Sequence, residues 1–314
     1  MNRIYILAAS LLLLSCSGTS QVTAKKDYAR ADVSKYMKTI TASDLKKHLY
    51  IVAGDEMQGR NTGDEGQKKA GLYLIDQYKK ENISFPKGAT DFYQRVPAEY
   101  MRRAFSPKLN DSENIWAYIE GTEKPDEVLV ISAHYDHVGM KNGEIYNGAD
   151  DDGSGTVALL EIAQAFMQAK KDGYGPKRSI LFLHVTGEEY GLHGSRYYSD
   201  NPLFPIRNTI AALNIDMIGR RDKAHQNNGN YVYVIGSDRL STELHNINEE
   251  ANKKYTKLTL DYTFNDVNDP NHFYERSDHY NFAKKGIPII FYFNGVHEDY
   301  HQPGDEPQKI EYDL

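Results

Sequence analysis

EVLVISAHYDH, residues 127–137, runs from an apolar stretch straight into two histidines and an aspartate. An apolar run this short and this continuous reads as a strand buried on both faces, the pattern of a parallel sheet covered by helices. Similar runs recur at 113–121 (ENIWAYIEG), 178–187 (RSILFLHVTG), 208–219 (NTIAALNIDMIG), 230–237 (NYVYVIGS) and 286–295 (GIPIIFYFNG). Helical stretches fall between several of them, notably at 156–170 and 241–254. The alternation predicts an α/β fold with a mixed, mostly parallel central sheet flanked by helices on both faces.

Two further segments read as helices. Residues 41–60 open with a Thr/Ser cap signal and helical periodicity, and residues 65–83 form an amphipathic helix with Ala70, Leu72, Leu74, Ile75 and Tyr78 on its apolar face. The polar segment 85–112 reads as a loop over one end of the sheet. Ligands of open α/β sheets gather at the carboxyl ends of strands. The candidate chemistry sits there: His134, Asp136 and His137 after one strand, Glu188 and Glu189 after the next, Asp216 after a third, and His297, Tyr300 and His301 after the last.

The remainder of the chain narrows the function. It has 314 residues and a formal net charge of −7, with no basic stripe, which argues against nucleic acid. Met1-Asn2-Arg3 and the apolar run 4–14 read as a secretory leader, too short to span a bilayer stably. Leu13-Leu14-Ser15-Cys16 looks like a lipobox, so residues 1–16 are expected to be a lipoprotein signal peptide with Cys16 lipidated. Residues 17–33 read as a flexible tether and 34–314 as a single domain, expected to be monomeric. The expected location is the bacterial cell envelope, periplasmic or surface-exposed. Cys16 is the only cysteine, so a metal site in the body of the chain must use His, Asp and Glu.

NGADDDGSGTVALLEIA, residues 147–163, places three carboxylates side by side and calls for a neutralising cation. Asp150, Asp152, Ser154, Gly155 and Glu161 match the spacing of an EF-hand calcium loop. The segment before it is turn-like, however, where an EF-hand needs a helix. The nearby histidines favour zinc or its neighbours. His134 with Asp136 two residues on suits an imidazole ligand whose other ring nitrogen is held by a carboxylate. Glu188 and Glu189 point in different directions at a strand end, so one can ligate while the other handles a proton.

The motifs AHYDHVG, NGADDDGSG, TGEEYGLHGS, LNIDMIG and DYHQPGD, in this order, resemble the M28 family of zinc metallopeptidases. The resemblance runs from about residue 55 to the end of the chain. Most members of that family are aminopeptidases with two co-catalytic zinc ions; glutaminyl cyclases are relatives with one. The resemblance implies a zinc-exopeptidase fold, two Zn2+, and peptide substrates with a free N-terminus. By position, His134 and Asp216 would ligate the first zinc, with Asp136 orienting His134. Asp151 would bridge both ions, and Glu189 and His301 would ligate the second. Glu188 would be the general base for a metal-activated water. Tyr300 would donate to the oxyanion or simply pack against the cleft wall. Asp150 and Asp152 are left for loop hydrogen bonds, with a cis peptide expected after Asp151.

His137 is assigned to the surroundings of the site rather than to a metal, and His184 and His193 are read as structural. Arg276-Ser277-Asp278-His279 is either a substrate-pocket element or a polar helix cap. The chain stops where the family usually starts a closing helix, which suggests truncation at the C-terminus. Two alternatives stay open beside the aminopeptidase: a mono-zinc glutaminyl cyclase, and a non-catalytic peptide-binding lipoprotein.

Overall fold

The computed structural model describes residues 31–104 and 108–314. The leader and Cys16 lie outside these residues, as does most of the tether. Three helices come first: α1 (Val33–Met37), α2 (Ala42–Val52) and α3 (Glu65–Lys80). Strand β1 (Tyr93–Val96), helix α4 (Ala98–Met101), β2 (Ser112–Ile119) and β3 (Lys124–His134) follow. A small hairpin of β4 (Met140–Lys141) and β5 (Glu144–Ile145) leads to α5 (Gly155–Lys171), β6 (Arg178–Val185) and α6 (His193–Asp200). The order ends with β7 (Thr209–Ile215), β8 (Tyr231–Ile235), α7 (Thr242–Ala251), β9 (Thr259–Asp261), α8 (His279–Ala283) and β10 (Ile289–Phe293).

Eight of these strands form one mixed sheet in the order β1-β2-β6-β3-β7-β10-β8-β9. The central strands β6, β3, β7 and β10 are parallel, and β2 and β8 flank them antiparallel. Successive side chains of a strand point to opposite faces, so an apolar run feeds two cores at once. On one face Ile180 and Phe182 of β6 and Ile131 and Ala133 of β3 pack with Leu49, Leu74, Tyr78, Val157 and Leu160 from α2, α3 and α5. On the other, Leu181, Leu183 and Val130 pack with Tyr198 of α6 and Phe282 of α8. Fully burying each such side chain contributes roughly 1.5–3 kcal/mol, and β3 and β6 collect that on both faces. Residues Asp32–Leu314 form one compact unit.

Three expectations need correction. First, α2 begins where its cap predicts, with the Thr41 hydroxyl accepting from the Asp44 amide at 3.1 Å, but it ends at Val52. Gly54 then turns into extended backbone, and Gln58 and Gly59 adopt left-handed conformations that swing Arg60 inward. Second, Leu72 is 61% exposed and does not belong to the apolar face of α3. The buried set is Gly66, Gln67, Ala70, Gly71, Leu74, Ile75 and Tyr78, which keeps the 3.6-residue period that Leu72 breaks. Third, segment 85–112 is not one long loop: β1 adds a strand to the sheet edge against β2. Of its two inward residues, Gln94 and Val96, Gln94 is polar, bonded to Asn201 O and Asn114, which hides the period-two signal.

Candidate metal centre

The carboxyl ends of β3, β6, β7 and β10 share one sheet edge, and the candidate residues meet there. His134 ends β3. Its Nδ1 donates to the Asp136 main-chain carbonyl at 3.0 Å, while the Asp136 carboxylate lies 3.8 Å away. That fixes the tautomer and turns the Nε2 lone pair toward Asp151 Oδ1 at 3.1 Å and Asp216 Oδ1 at 3.6 Å. The Asp136 carboxylate instead accepts from the Glu188 amide at 3.2 Å and from the Thr62 hydroxyl at 2.7 Å. It therefore holds the segment that carries both glutamates.

Asp151 sits in the turn before α5 and faces two ways. Oδ1 looks at His134, and Oδ2 lies 2.9 Å from His301 Nε2 and 3.8 Å from His137 Nδ1. Glu189 completes the second side: Oε2 lies 2.9 Å from His301 Nε2 and Oε1 lies 2.6 Å from His137 Nδ1. Among the described residues two groups able to hold an ion emerge, His134 with Glu188 and Asp216, and His137 with Asp151 and Glu189.

The turn is built to place Asp151. The Asp151–Asp152 peptide is cis. The Asp305 carboxylate accepts from the amides of Asp150 and Asp151 at 3.0 and 3.1 Å. Asp150 Oδ1 accepts from Gly219 N at 2.6 Å, and Asp152 accepts from the amides of His134, Gly155 and Met217. These two aspartates are loop fasteners. Glu161 points elsewhere, 3.3 Å from His48 on α2, so the calcium-loop spacing is not realised as a site. The fully buried Arg60 donates to the carbonyls of Tyr135, Val52, Asn147 and Gly148 at 2.7–3.0 Å, tying the turn to the end of β3.

Asp216 is held from below by a buried relay. The Ser277 hydroxyl donates to Asp216 Oδ2 at 2.6 Å, Asn214 Nδ2 donates to Ser277 at 2.9 Å, and Ser132 donates to Asn214 Oδ1 at 2.7 Å. Segment 276–279 thus serves the site. Arg276 lines a small pocket with Glu188, Tyr300, Phe273, Phe291, Phe293 and Val296. Asp278 is fully buried, and burial pushes its carboxyl up to about 7. His279 stacks on Phe291 with ring centroids 4.6 Å apart.

Tyr300 stacks on His301 at 4.0 Å beside the same pocket, and burial raises its hydroxyl pKa, so it stays protonated at neutral pH. Burial, with Glu189 and Asp216 adding to it against the pull of His134, raises the Glu188 carboxyl well above the usual range. His184 accepts from or donates to Tyr78 OH at 2.7 Å within the core, and the buried His193 lies 3.0 Å from Arg196. Both stand apart from the groups above.

The donor set fits zinc. Asp151 Oδ2, Glu189 Oε1 and both ring nitrogens of His137 are buried without hydrogen-bond partners among the described residues, an arrangement that a cation resolves. Imidazoles with carboxylates and no thiolate suit zinc and its neighbours. The sequence assigned no role to Arg60, Thr62 or Asp305, offered Ser277 only within the 276–279 element with no link to Asp216, and placed His137 outside the ligand group that the structure gives it. Asp305 alone carried a hint, as the charged last residue of DYHQPGD.

Residues 114–314 match the family model for Peptidase family M28. A probable leucine aminopeptidase of the fungus Trichophyton verrucosum is 32% identical over 206 residues, which is 63% of this chain and 52% of that protein. The chain thus spans about half the length of this curated relative. Among solved structures, BSAP, a zinc aminopeptidase from Bacillus subtilis, superposes with a TM-score of 0.62 at 16% identity, covering 87% of this chain and 91% of that one. The glutaminyl cyclase of Porphyromonas gingivalis superposes with a TM-score of 0.64 at 19% identity, covering 88% and 93%. At such identities these two structures speak for the shared fold. With the family match over most of the sheet and every strand end that carries a candidate ligand, the chain belongs to peptidase family M28.

Proposed function

We propose that the chain is a di-zinc aminopeptidase that removes N-terminal residues from peptides. One observation carries this reading: the two carboxylate oxygens of Asp151 face two separate imidazole–carboxylate sets, His134 with Asp216 and His301 with Glu189. Those five residues would hold the two ions. Zinc bound there supplies Lewis acidity, lowering the pKa of a water and polarising a carbonyl. Glu188, raised by burial and positioned through its amide on Asp136, takes a proton from the attacking water and returns it to the leaving amine. Tyr300, kept protonated by burial, donates its hydroxyl to the developing oxyanion. The pocket walls Phe273, Phe291, Phe293 and Val296 exclude water from the first side chain of the substrate.

The reading extends to location. Leu13-Leu14-Ser15-Cys16 supports lipid attachment at Cys16 and a place in the cell envelope. Labelled palmitate incorporated by the chain and lost in Cys16→Ala is the expected result; equal labelling of both would remove the anchor.

The deciding experiment joins elemental analysis to a substrate panel of aminoacyl-nitroanilides and glutaminyl peptides. Two zinc ions per chain with aminoacyl release is the expected outcome. One zinc with ring closure of N-terminal glutamine would replace the reading with a cyclase, and a metal-free inert chain would leave a binding protein. Asp151→Ala should lose both ions; a variant still holding two would refute the bridging role.

A further inference from the structure

His137 lies at the second ion position yet outside the five-residue set assigned above. It is fully buried, and among the described residues neither ring nitrogen makes a well-aligned hydrogen bond. Its Nδ1 stands 2.6 Å from Glu189 Oε1 and 3.8 Å from Asp151 Oδ2, and those two oxygens likewise make no well-aligned hydrogen bond among the described residues. The three ligand atoms lie within 4.8 Å of one another. Buried polar atoms need partners, and one cation among these three serves them all.

The imidazole also has a slot made for it. The main chain of His137 is clipped to the Arg60 carbonyl at 3.1 Å, which points the ring at the turn 147–151. Gly148 there has φ +54°, and a Cβ on it would fall 2.4 Å from His137 Cγ. Any side chain at 148 would occupy the room the ring uses. His301 approaches the same two carboxylates from another side, its ring 5.6 Å from that of His137 and edge-on to it.

We propose that His137 Nδ1 is a further protein ligand of the second zinc, beside Asp151, Glu189 and His301. This rests on the zinc reading above. The two positions are then unequal. The first has His134, Asp216 and a share of Asp151; the second has two imidazoles, Glu189 and the other share of Asp151. The second position fills first and empties last.

X-ray absorption at the zinc edge on the full chain tests this without reference to activity. At one equivalent of zinc the expected result is two imidazoles per ion, and at two equivalents three imidazoles shared between two ions. His137→Ala should lower the count by one and weaken the tighter site by about 100-fold or more. Affinity alone does not decide, because an imidazole that merely steadied Glu189 would also cost about 10–100-fold; the imidazole count does. The wild-type spectra need no variant to fold. One imidazole per zinc at both loadings overturns the proposal and leaves the two-zinc reading intact. A chain that takes only one zinc, with two imidazoles lost to one in His137→Ala, supports His137 while overturning the two-zinc reading. A single zinc with one imidazole, or no zinc, overturns both.

Discussion

Ser277 donates its hydroxyl to Asp216 Oδ2 at 2.6 Å across 61 residues of sequence, which leaves Oδ1 facing His134. The bond divides the carboxylate into a held oxygen and a free one, and the Asn214–Ser132 relay behind it fixes Ser277 in turn. Ser277→Ala frees Asp216 to rotate. Zinc affinity should fall by about 10–100-fold, with a smaller loss for Ser277→Thr. Competition with a chromogenic chelator measures it; unchanged affinity in Ser277→Ala would mean that Asp216 needs no support.

Glu188 and Glu189 are neighbours in sequence but divide their partners. Glu189 faces His137 and His301, whereas Glu188 lies beside His134 and Asp216 and lines the pocket with Tyr300; the proposed function makes it the base and not a ligand. Glu188→Gln should therefore keep its zinc and lower kcat by about 10²–10⁴-fold, the range for a lost general base. Glu189→Gln should lose zinc first and activity as a consequence. Zinc loss in both variants alike would dissolve the distinction.

The sequence made the centre of the sheet legible because β3, β6, β7 and β10 are buried on both faces and need continuous apolar runs. The ligand candidates followed from where those runs end. The edges were illegible for the opposite reason: β1 turns the polar Gln94 inward, and β9 is only Thr259–Asp261. The supports of the site were hidden by distance along the chain. Nothing near Asp216 announces Ser277, and nothing near His137 announces that Gly148 vacates the space for its ring. His137 looked surplus because five ligands already satisfied two ions, a count that takes no account of burial. Burial decides here, since it seals the imidazole against the Glu189 and Asp151 carboxylates.

Arg60 spends a fully buried guanidinium on main-chain carbonyls alone. Arg60→Met keeps the stem and strands the carbonyls of Tyr135, Val52, Asn147 and Gly148. A loss of about 3 kcal/mol or more is expected from groups of this kind left unpaired. That corresponds to a Tm lower by roughly 5 °C for a domain of this size. Thermal melts followed by circular dichroism check it, and zinc should also bind more weakly because the Asp151 turn loosens. A shift of less than about 2 °C would show that water replaces the guanidinium.

His184 sits fully buried on β6 against Tyr78, and burial lowers its pKa from 6.5 to about 3. Below about pH 6.5 the unfolded chain takes up a proton that the folded chain refuses, so stability is full above that pH and declines toward pH 3. At pH 5 the single residue should cost about 2 kcal/mol relative to pH 7.5. His184→Gln retains a hydrogen-bonding amide but cannot titrate. Urea melts should show it less stable than wild type at pH 7.5, with a smaller drop between pH 7.5 and 5. An equal drop in both would assign the acid sensitivity to other groups.

Tyr300 stacks on His301 and lines the pocket that Glu188 enters, so its ring and its hydroxyl do separable work. Tyr300→Phe keeps the stack and removes only the donor. Loss of one oxyanion donor costs about 10²–10³-fold in kcat, and because the oxyanion exists only in the transition state, KM should stay within a few-fold. Zinc content should not change, since the hydroxyl is not among the ligand groups. A rise in KM at constant kcat would instead make Tyr300 a binding wall. The burial that raises its pKa would then serve packing alone.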